Sequence, residues 1–82
     1  MRLTDTDSDQ AISERVAAEV RAEIARQGLT RASVAARLGW SEQRFSLRMT
    51  GRVELSVGEV AVIADALGVP VAQFFPALER AA

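Results

Sequence analysis

The sequence predicts an all-α domain built from five helices. Large apolar residues recur three to four positions apart, the spacing of one face of a helix, and no segment alternates in the way of a half-buried strand. Glycines separate the apolar segments, and hydroxyl residues of the kind that cap helices stand before several of them. With 82 residues the chain has room for one domain with a small core.

The first helix is predicted over residues 9–27. Gly28 follows it at the position where a helix commonly ends in the left-handed conformation. Large apolar residues recur every four positions along this segment and are expected to face the core: Ile12, Val16, Val20 and Ile24.

The second helix is predicted over residues 31–38. Thr30 precedes it as an N-cap, and Gly39 follows it where the chain must turn. Its inward face is expected to consist of three residues at helical spacing: Val34, Ala35 and Leu38.

The third helix is predicted over residues 42–50, with Ser41 as its N-cap and Gly51 after its end. Only Phe45 and Met49, one turn apart, are strong core anchors in this segment. A helix that served only to close the core would be more apolar, so its remaining surface is expected to have another purpose.

The fourth and fifth helices complete the prediction. Ser56 and Glu59 have the spacing of a capping box, and Gly68 ends the helix that they open. The stretch "VPVAQFFP" predicts a short fifth helix with Pro70 in its first turn and Pro76 at its end. The fourth helix is expected to face inward through Val60, Ile63, Ala64 and Leu67.

These elements divide the chain into three parts. Residues 1–8, which are acidic and polar, are predicted to be flexible. Residues 9–75 form the folded domain, and residues 76–82 form a tail.

The composition excludes several classes of site. The chain has no cysteine and no histidine, which removes disulfides, Cys/His zinc sites and the commonest catalytic side chains. We therefore expect a protein that is not an enzyme and needs no metal or cofactor. The N-terminal "MRLTDTDSDQ" lacks the pattern of a signal peptide, and no apolar run approaches the ~20 residues of a membrane span, so a cytoplasmic location is expected.

Two short helices joined by "GW" have helix-turn-helix spacing. The positive charge of the chain lies in the same region. Residues 28–54 carry five Arg against two Glu, whereas the whole chain has a net charge of −1. This distribution favours an anionic partner at the second and third helices.

The stretches "GLTRASVAARLGWSEQRFSLRMTG" and "LSVGEVAVIADALGVPVAQFF" resemble the Cro and phage-repressor (lambda-repressor-like, Xre) helix-turn-helix family. The resemblance covers residues 16–75 and implies a five-helix, lambda-repressor-like domain that binds operator DNA and regulates transcription. Two positions depart from the family pattern. Arg31 stands where Gln is frequent, and Arg48 stands where an apolar residue is common, which suggests that Arg48 is free at the margin of the third helix.

The resemblance implies that the third helix enters the major groove. Gln43 can bond bidentately to adenine, Glu42 can accept from cytosine N4, Arg44 can bind guanine or a phosphate, and Leu47 can contact a thymine methyl group. Phosphate contacts are expected from the residues around the two helix N-termini and from flanking arginines: Thr30, Arg31, Ser41, Ser46, Arg48 and Arg52.

Each of these assignments has a structural alternative. Glu42 can simply favour the helix dipole, and Arg31 can pair with it. Leu47 can cover core, and Arg52 can be a solvated loop charge. Trp40 is expected to pack in the turn, the alternative being a contact of its N–H with a phosphate.

The resulting hypothesis is a sequence-specific, double-stranded DNA-binding transcriptional regulator, with repression as its predicted effect. The alternative is a protein-binding helical module, such as the antitoxin of a toxin–antitoxin pair. On DNA the chain is expected either as a monomer or as a homodimer that uses C-terminal apolar residues: Val71, Phe74, Phe75 and Leu78.

Overall fold

The computed structural model of the chain describes residues 5–75, and the side chains from residue 11 onward. Over these residues it contains four α-helices, one short 3-10 helix and no strand. None of the described helices is long and apolar enough to span a membrane. The elements in chain order are α1 (Asp5–Arg26), α2 (Arg31–Leu38), α3 (Glu42–Met49), α4 (Val57–Leu67) and the 3-10 helix (Val71–Phe74).

Helix α1 begins four residues before the predicted start, so residues 5–8 of the predicted flexible segment are helical. Residues 1–4 and the predicted tail, 76–82, lie outside the described residues. The expectation that Ile12 faces the core is wrong, since 41% of it is exposed.

The three predicted N-caps are confirmed. Thr30, Ser41 and Ser56 have extended backbones, and each side-chain oxygen accepts from the backbone N–H three residues later. The Ser56–Glu59 capping box is present, and α2 has a second one in which Ser33 reciprocates with Thr30. These caps satisfy backbone donors that a helix cannot pair internally, and so define where the short helices α2, α3 and α4 start.

The turn between α2 and α3 depends on Gly39. Its φ of 74° lies in the left-handed region, and its N–H donates to Ala35 and Ala36 carbonyls at the end of α2. A residue with a Cβ is strained in this conformation. Gly39 therefore ends α2 and reverses the chain before Ser41 opens α3.

The core lies where the four helices and the 3-10 helix meet. Phe45, Phe74 and Met49 are its largest fully buried side chains. Helix α2 contributes the buried Val34 and Ala35, and its partly buried Leu38 packs against the same core. The buried apolar cluster comprises Val16, Val20, Ile24, Val34, Ala35, Phe45, Met49, Val60, Ile63, Ala64, Leu67 and Phe74.

The predicted fifth α-helix is a four-residue 3-10 helix. Its hydrogen bonds span three residues, from Gln73 N–H to the Pro70 carbonyl and from Phe75 N–H to the Ala72 carbonyl. Pro70 is extended and precedes the helix instead of occupying its first turn, because its ψ of 141° is not helical. This tight turn suffices to insert Phe74 into the core.

A buried carboxylate joins α1 to the C-terminal part of the domain. Glu23 accepts from Gln27 Nε2 and Gln73 Nε2, both at 2.8 Å, and from Arg26. The hydrogen bond from Gln27, followed by that from Arg26, lowers the pKa of Glu23 against the opposing effect of burial. Gln27 also donates to the Leu67 carbonyl at 2.8 Å, so the end of α4 is tied to the same group.

Candidate nucleic-acid interface

Helix α3 is buried on one side only. Phe45 and Met49 are fully buried, as predicted. Opposite them, Gln43 is exposed and Leu47 is half-buried, and Glu42 is exposed in the first turn of the helix. Because Phe45 and Met49 are the only buried side chains of α3, the face that carries Gln43 is available to a partner.

The sequence-based alternative in which Leu47 covers the core is not supported. Leu47 lies outside the group of partly buried apolar side chains that pack against the core cluster. It occupies the same turn of α3 as the half-buried Ser46, so both predicted contacts lie toward the middle of the helix.

The N-termini of α2 and α3 both offer hydrogen-bond donors. The Oγ1 of Thr30 accepts from Ser33 N–H at 3.0 Å, and the Oγ of Ser41 accepts from Arg44 N–H at 3.1 Å. Each hydroxyl still carries a hydrogen that it can donate to an anion. The first N–H groups of both helices also lack intrahelical acceptors, which makes these two ends suited to phosphate oxygens.

Two of the predicted phosphate-contacting arginines are exposed. Arg31 is the first residue of α2, and Arg52 lies in the loop after the C-terminal end of α3. Among the described residues there is no ion pair between Arg31 and Glu42, the pairing considered from the sequence.

Arg44 is held between two residues from other parts of the chain. Its guanidinium carbon lies 4.0 Å from the centroid of the Trp40 ring, a cation–π contact. Its Nη2 lies 3.4 Å from Glu59 Oε2. The side chain remains 45% exposed, so the guanidinium is oriented without being covered.

Arg48 does not lie free at the margin of α3, as the sequence suggested. Its Nε and Nη2 donate to the two carboxylate oxygens of Glu59 at 3.4 and 3.1 Å, and only 18% of its side chain is exposed. This fork-to-fork geometry links α3 to the first turn of α4. A phosphate contact from Arg48, the predicted role, would require the pair with Glu59 to open.

Glu59, on α4, thus accepts hydrogen bonds from two arginines of α3 and from the N-cap of its own helix. Besides the arginines, its Oε1 accepts from the Ser56 backbone N–H at 3.0 Å. Burial of the Glu59 carboxyl raises its pKa, but the Ser56 N–H and the guanidinium groups of Arg48 and Arg44 lower it by more. The pKa of Glu59 consequently lies below its ordinary value of 4.5, and the group is charged at neutral pH.

The residues predicted for a homodimer do not form one free surface. Phe74 is fully buried in the core and cannot contact a second chain, which corrects its assignment. Val71 is exposed and Phe75 is half-buried, whereas Leu78 lies outside the described residues. Phe75 lines an open, mostly apolar cleft of about 280 Å³ that also involves Ile12 and Val57.

The contacts of Glu59 with α3 were not predicted from the sequence. Its capping-box spacing was visible, but the contacts to Arg44 and Arg48 join residues 15 and 11 positions apart. One feature of the sequence could have indicated these contacts. Either Glu or Gln can complete a capping box, so a charged Glu at position 59, close in sequence to a helix with two arginines, is compatible with an additional ion pair.

Comparison with known families and proteins gives one match. The sequence model of a helix-turn-helix domain matches residues 15–74, well over half of the chain. Neither the curated proteins nor the solved structures that were searched contain a significant match. The matched segment includes α2, the turn at Gly39 and α3.

Proposed function

The chain belongs to the helix-turn-helix domain family, and from this premise we propose that it is a sequence-specific double-stranded DNA-binding transcriptional regulator. The observation that carries the proposal is the one-sided burial of α3. Phe45 and Met49 anchor it, and its first turn presents polar side chains on the second helix of the motif, which enters the major groove in such proteins.

The base contacts are proposed for four residues of α3. Gln43, exposed opposite Phe45, can bond to N6 and N7 of adenine, and Glu42 can accept from N4 of cytosine. Arg44 presents a planar fork suited to guanine, and Leu47 can pack on a thymine methyl group.

The phosphate contacts are proposed for residues at the two helix N-termini, for one serine in the middle of α3 and for one arginine in the loop after it. These residues are Thr30, Arg31, Ser41, Ser46 and Arg52. Arg48 is proposed to act indirectly, by fixing α3 against α4 through Glu59. The excess of arginine over glutamate in residues 28–54 supports an anionic partner, although the whole chain is slightly acidic.

The finer proposal is a Cro-like or phage-repressor-like repressor that acts in the cytoplasm by occupying an operator. Its support is the resemblance of residues 16–75 to that family. A reporter gene with the selected site placed over its promoter tests the direction of regulation. Expression should fall when the protein is present, and a rise would identify an activator.

Two copies are proposed to bind together, because one recognition helix contacts only a few base pairs. Since Phe74 is buried, the contact would have to use Val71, Phe75 and the cleft beside them. Sedimentation with a selected duplex distinguishes a two-to-one complex on a palindromic site from a one-to-one complex on an asymmetric site.

The same cleft favours the second candidate function, a protein-binding module such as an antitoxin. Ile12 and Val57, which line it, are 41% and 79% exposed, so the cleft offers apolar side chains that a protein partner could cover. A Val57→Glu variant separates the two functions: it should abolish binding of a protein partner and leave DNA binding intact.

The central experiment is selection of bound sequences from random duplex DNA with the purified chain. A consensus of several base pairs, bound at least a thousandfold more tightly than scrambled duplex, is expected for a specific regulator. Binding without any sequence preference, or no binding at low salt, would contradict the proposed function.

A further inference from the structure

We propose that Glu59, together with Trp40, is a positioning residue that holds the guanidinium of Arg44 in the orientation in which it meets a guanine. The inference rests on the proposed function, since it assumes that the exposed face of α3 lies in the major groove. It adds a residue of α4, outside the helix-turn-helix motif, to the determinants of sequence preference.

The Arg44 guanidinium is constrained in two independent ways. Its stacking on Trp40, with 4.0 Å between the guanidinium carbon and the ring centroid, fixes the plane of the group. Its contact with Glu59 Oε2, at 3.4 Å from Nη2, fixes its rotation within that plane. The remaining N–H groups lie at the other edges of the guanidinium and stay available for a bidentate bond to guanine O6 and N7.

The two holding residues are themselves fixed. Trp40 is half-buried, and its ring meets the buried ring of Phe45 with centroids 6.1 Å apart. Glu59 is 15% exposed in its side chain and is bound by Ser56 N–H and the fork of Arg48. Arg44 is therefore ordered before DNA arrives, and the entropy lost in ordering a long side chain does not have to be lost on binding.

The negative charge of Glu59 is needed to hold the Arg44 guanidinium, but it is not needed for the capping box with Ser56. A glutamine at the third position of a helix completes a capping box as well as a glutamate does. It has only one side-chain acceptor oxygen, however, and no charge with which to hold two guanidinium groups. Glu59→Gln therefore removes the restraint on Arg44 and keeps the start of α4.

Binding-site selection on four proteins tests the proposal: the wild type, Glu59→Gln, Arg44→Ala and the double variant. Glu59→Gln should reduce the preference at one base pair by about tenfold, a typical loss for one bidentate contact, and Arg44→Ala should reduce it at the same base pair. In the double variant, Glu59→Gln should add nothing at that base pair, because its effect there passes through Arg44, whereas the loss of the Arg48 pair affects α3 as a whole and is not specific to one base pair. An unchanged preference in Glu59→Gln, or a further loss in the double variant, would overturn the proposal.

Glu54→Gln is the matched control. It changes the net charge by the same amount, and Glu54 is an exposed loop residue without an ion pair in the part of the chain that the structure describes. It should leave the base preference as in the wild type. A purely structural effect of Glu59→Gln would lower the melting temperature without changing the base preference.

A measurement without DNA separates this proposal from the proposed function. Trp40 is the only tryptophan in the chain, so intrinsic fluorescence reports on this cluster alone. Glu59→Gln should shift the Trp40 emission in the same direction as Arg44→Ala, whereas Glu54→Gln should not. If the wild type shows no preference for any duplex, the proposed function fails; if Trp40 emission does not respond to Glu59→Gln, the positioning role fails.

Discussion

The ring of Trp40 meets the ring of Phe45 edge-on, at an interplanar angle of 61°. Phe45 is fully buried, whereas Trp40 is half-buried and carries the Arg44 guanidinium over its ring. This contact connects the core to the exposed face of α3. A change in the core at this point should therefore affect both the stability of the domain and the order of Arg44.

Phe45→Ala should destabilise the domain by about 3–5 kcal/mol, since it leaves a cavity in a core with few large side chains. That loss is comparable to the whole stability expected of so small a domain. Thermal unfolding followed by circular dichroism measures it. A variant that keeps its melting temperature but loses DNA binding would show that Phe45 faces the DNA and that the proposed orientation of α3 is wrong.

Gln43→Ala should weaken binding to the preferred site by about 1–3 kcal/mol and relax one base position, because a bidentate contact is lost. Gln43 is exposed and makes no hydrogen bond that contributes to the described fold, so the melting temperature should not change. Site selection with the variant provides the measurement. The same preference at every position would remove Gln43 from the base-contacting residues.

Local signals were sufficient to predict the helix-turn-helix elements. Helix α2 has the predicted bounds because Thr30 satisfies donors at one end and Gly39 allows the left-handed turn at the other. Phe45 and Met49 were identified as anchors because they are the only large apolar residues one turn apart in a polar helix. Such signals lie within a few residues of the feature that they determine.

The features that depend on packing between helices could not be predicted in the same way. Arg48 pairs with Glu59, which belongs to another helix, and no pattern of neighbouring residues predicts that these two side chains lie close together. Ile12 continues the apolar repeat of α1, but it lies at the edge of an open cleft and remains 41% exposed. The fifth helix is a 3-10 helix because four residues suffice to place Phe74 in the core.

Arg31→Ala and Arg48→Ala should differ in their effect on the salt dependence of DNA binding. Arg31 is exposed at the N-terminus of α2, so its loss should lower the slope of log affinity against log salt by about one unit. Arg48 is paired with Glu59, so its loss should leave the slope unchanged and lower stability by about 1–3 kcal/mol. DNA titrations at several salt concentrations compare the two variants. A reduced slope for Arg48→Ala would support the phosphate contact that was predicted for Arg48 from the sequence.

The free energy of unfolding should fall in acid. The pKa values of Glu23 and Glu59 are lowered in the folded protein, so each carboxylate stabilises the fold above its ordinary pKa of 4.5. That stabilisation is lost as the pH falls below 4.5 and through the folded-state values. Urea unfolding at a series of pH values should show a flatter profile for Glu23→Gln and Glu59→Gln than for the wild type. Glu54→Gln is the control, and identical profiles for all four proteins would contradict the assignment.

Gly39→Ala should lower the stability of the domain by about 1–2 kcal/mol, the cost of placing a residue with a Cβ in the left-handed region. No atom lies within 4 Å of the position that the Cβ would take, so the cost comes from the backbone and not from a clash. Gly39→Asn should cost less, because asparagine tolerates this conformation better than alanine.

Gly58→Ala provides the matched control. Gly58 lies in α4 without a positive φ, and the added methyl group meets only ordinary contacts. This variant should therefore gain up to about 1 kcal/mol of stability. Urea unfolding of the three variants measures the differences. If Gly39→Ala and Gly58→Ala change stability in the same direction and by the same amount, the turn between α2 and α3 does not depend on the left-handed conformation of Gly39.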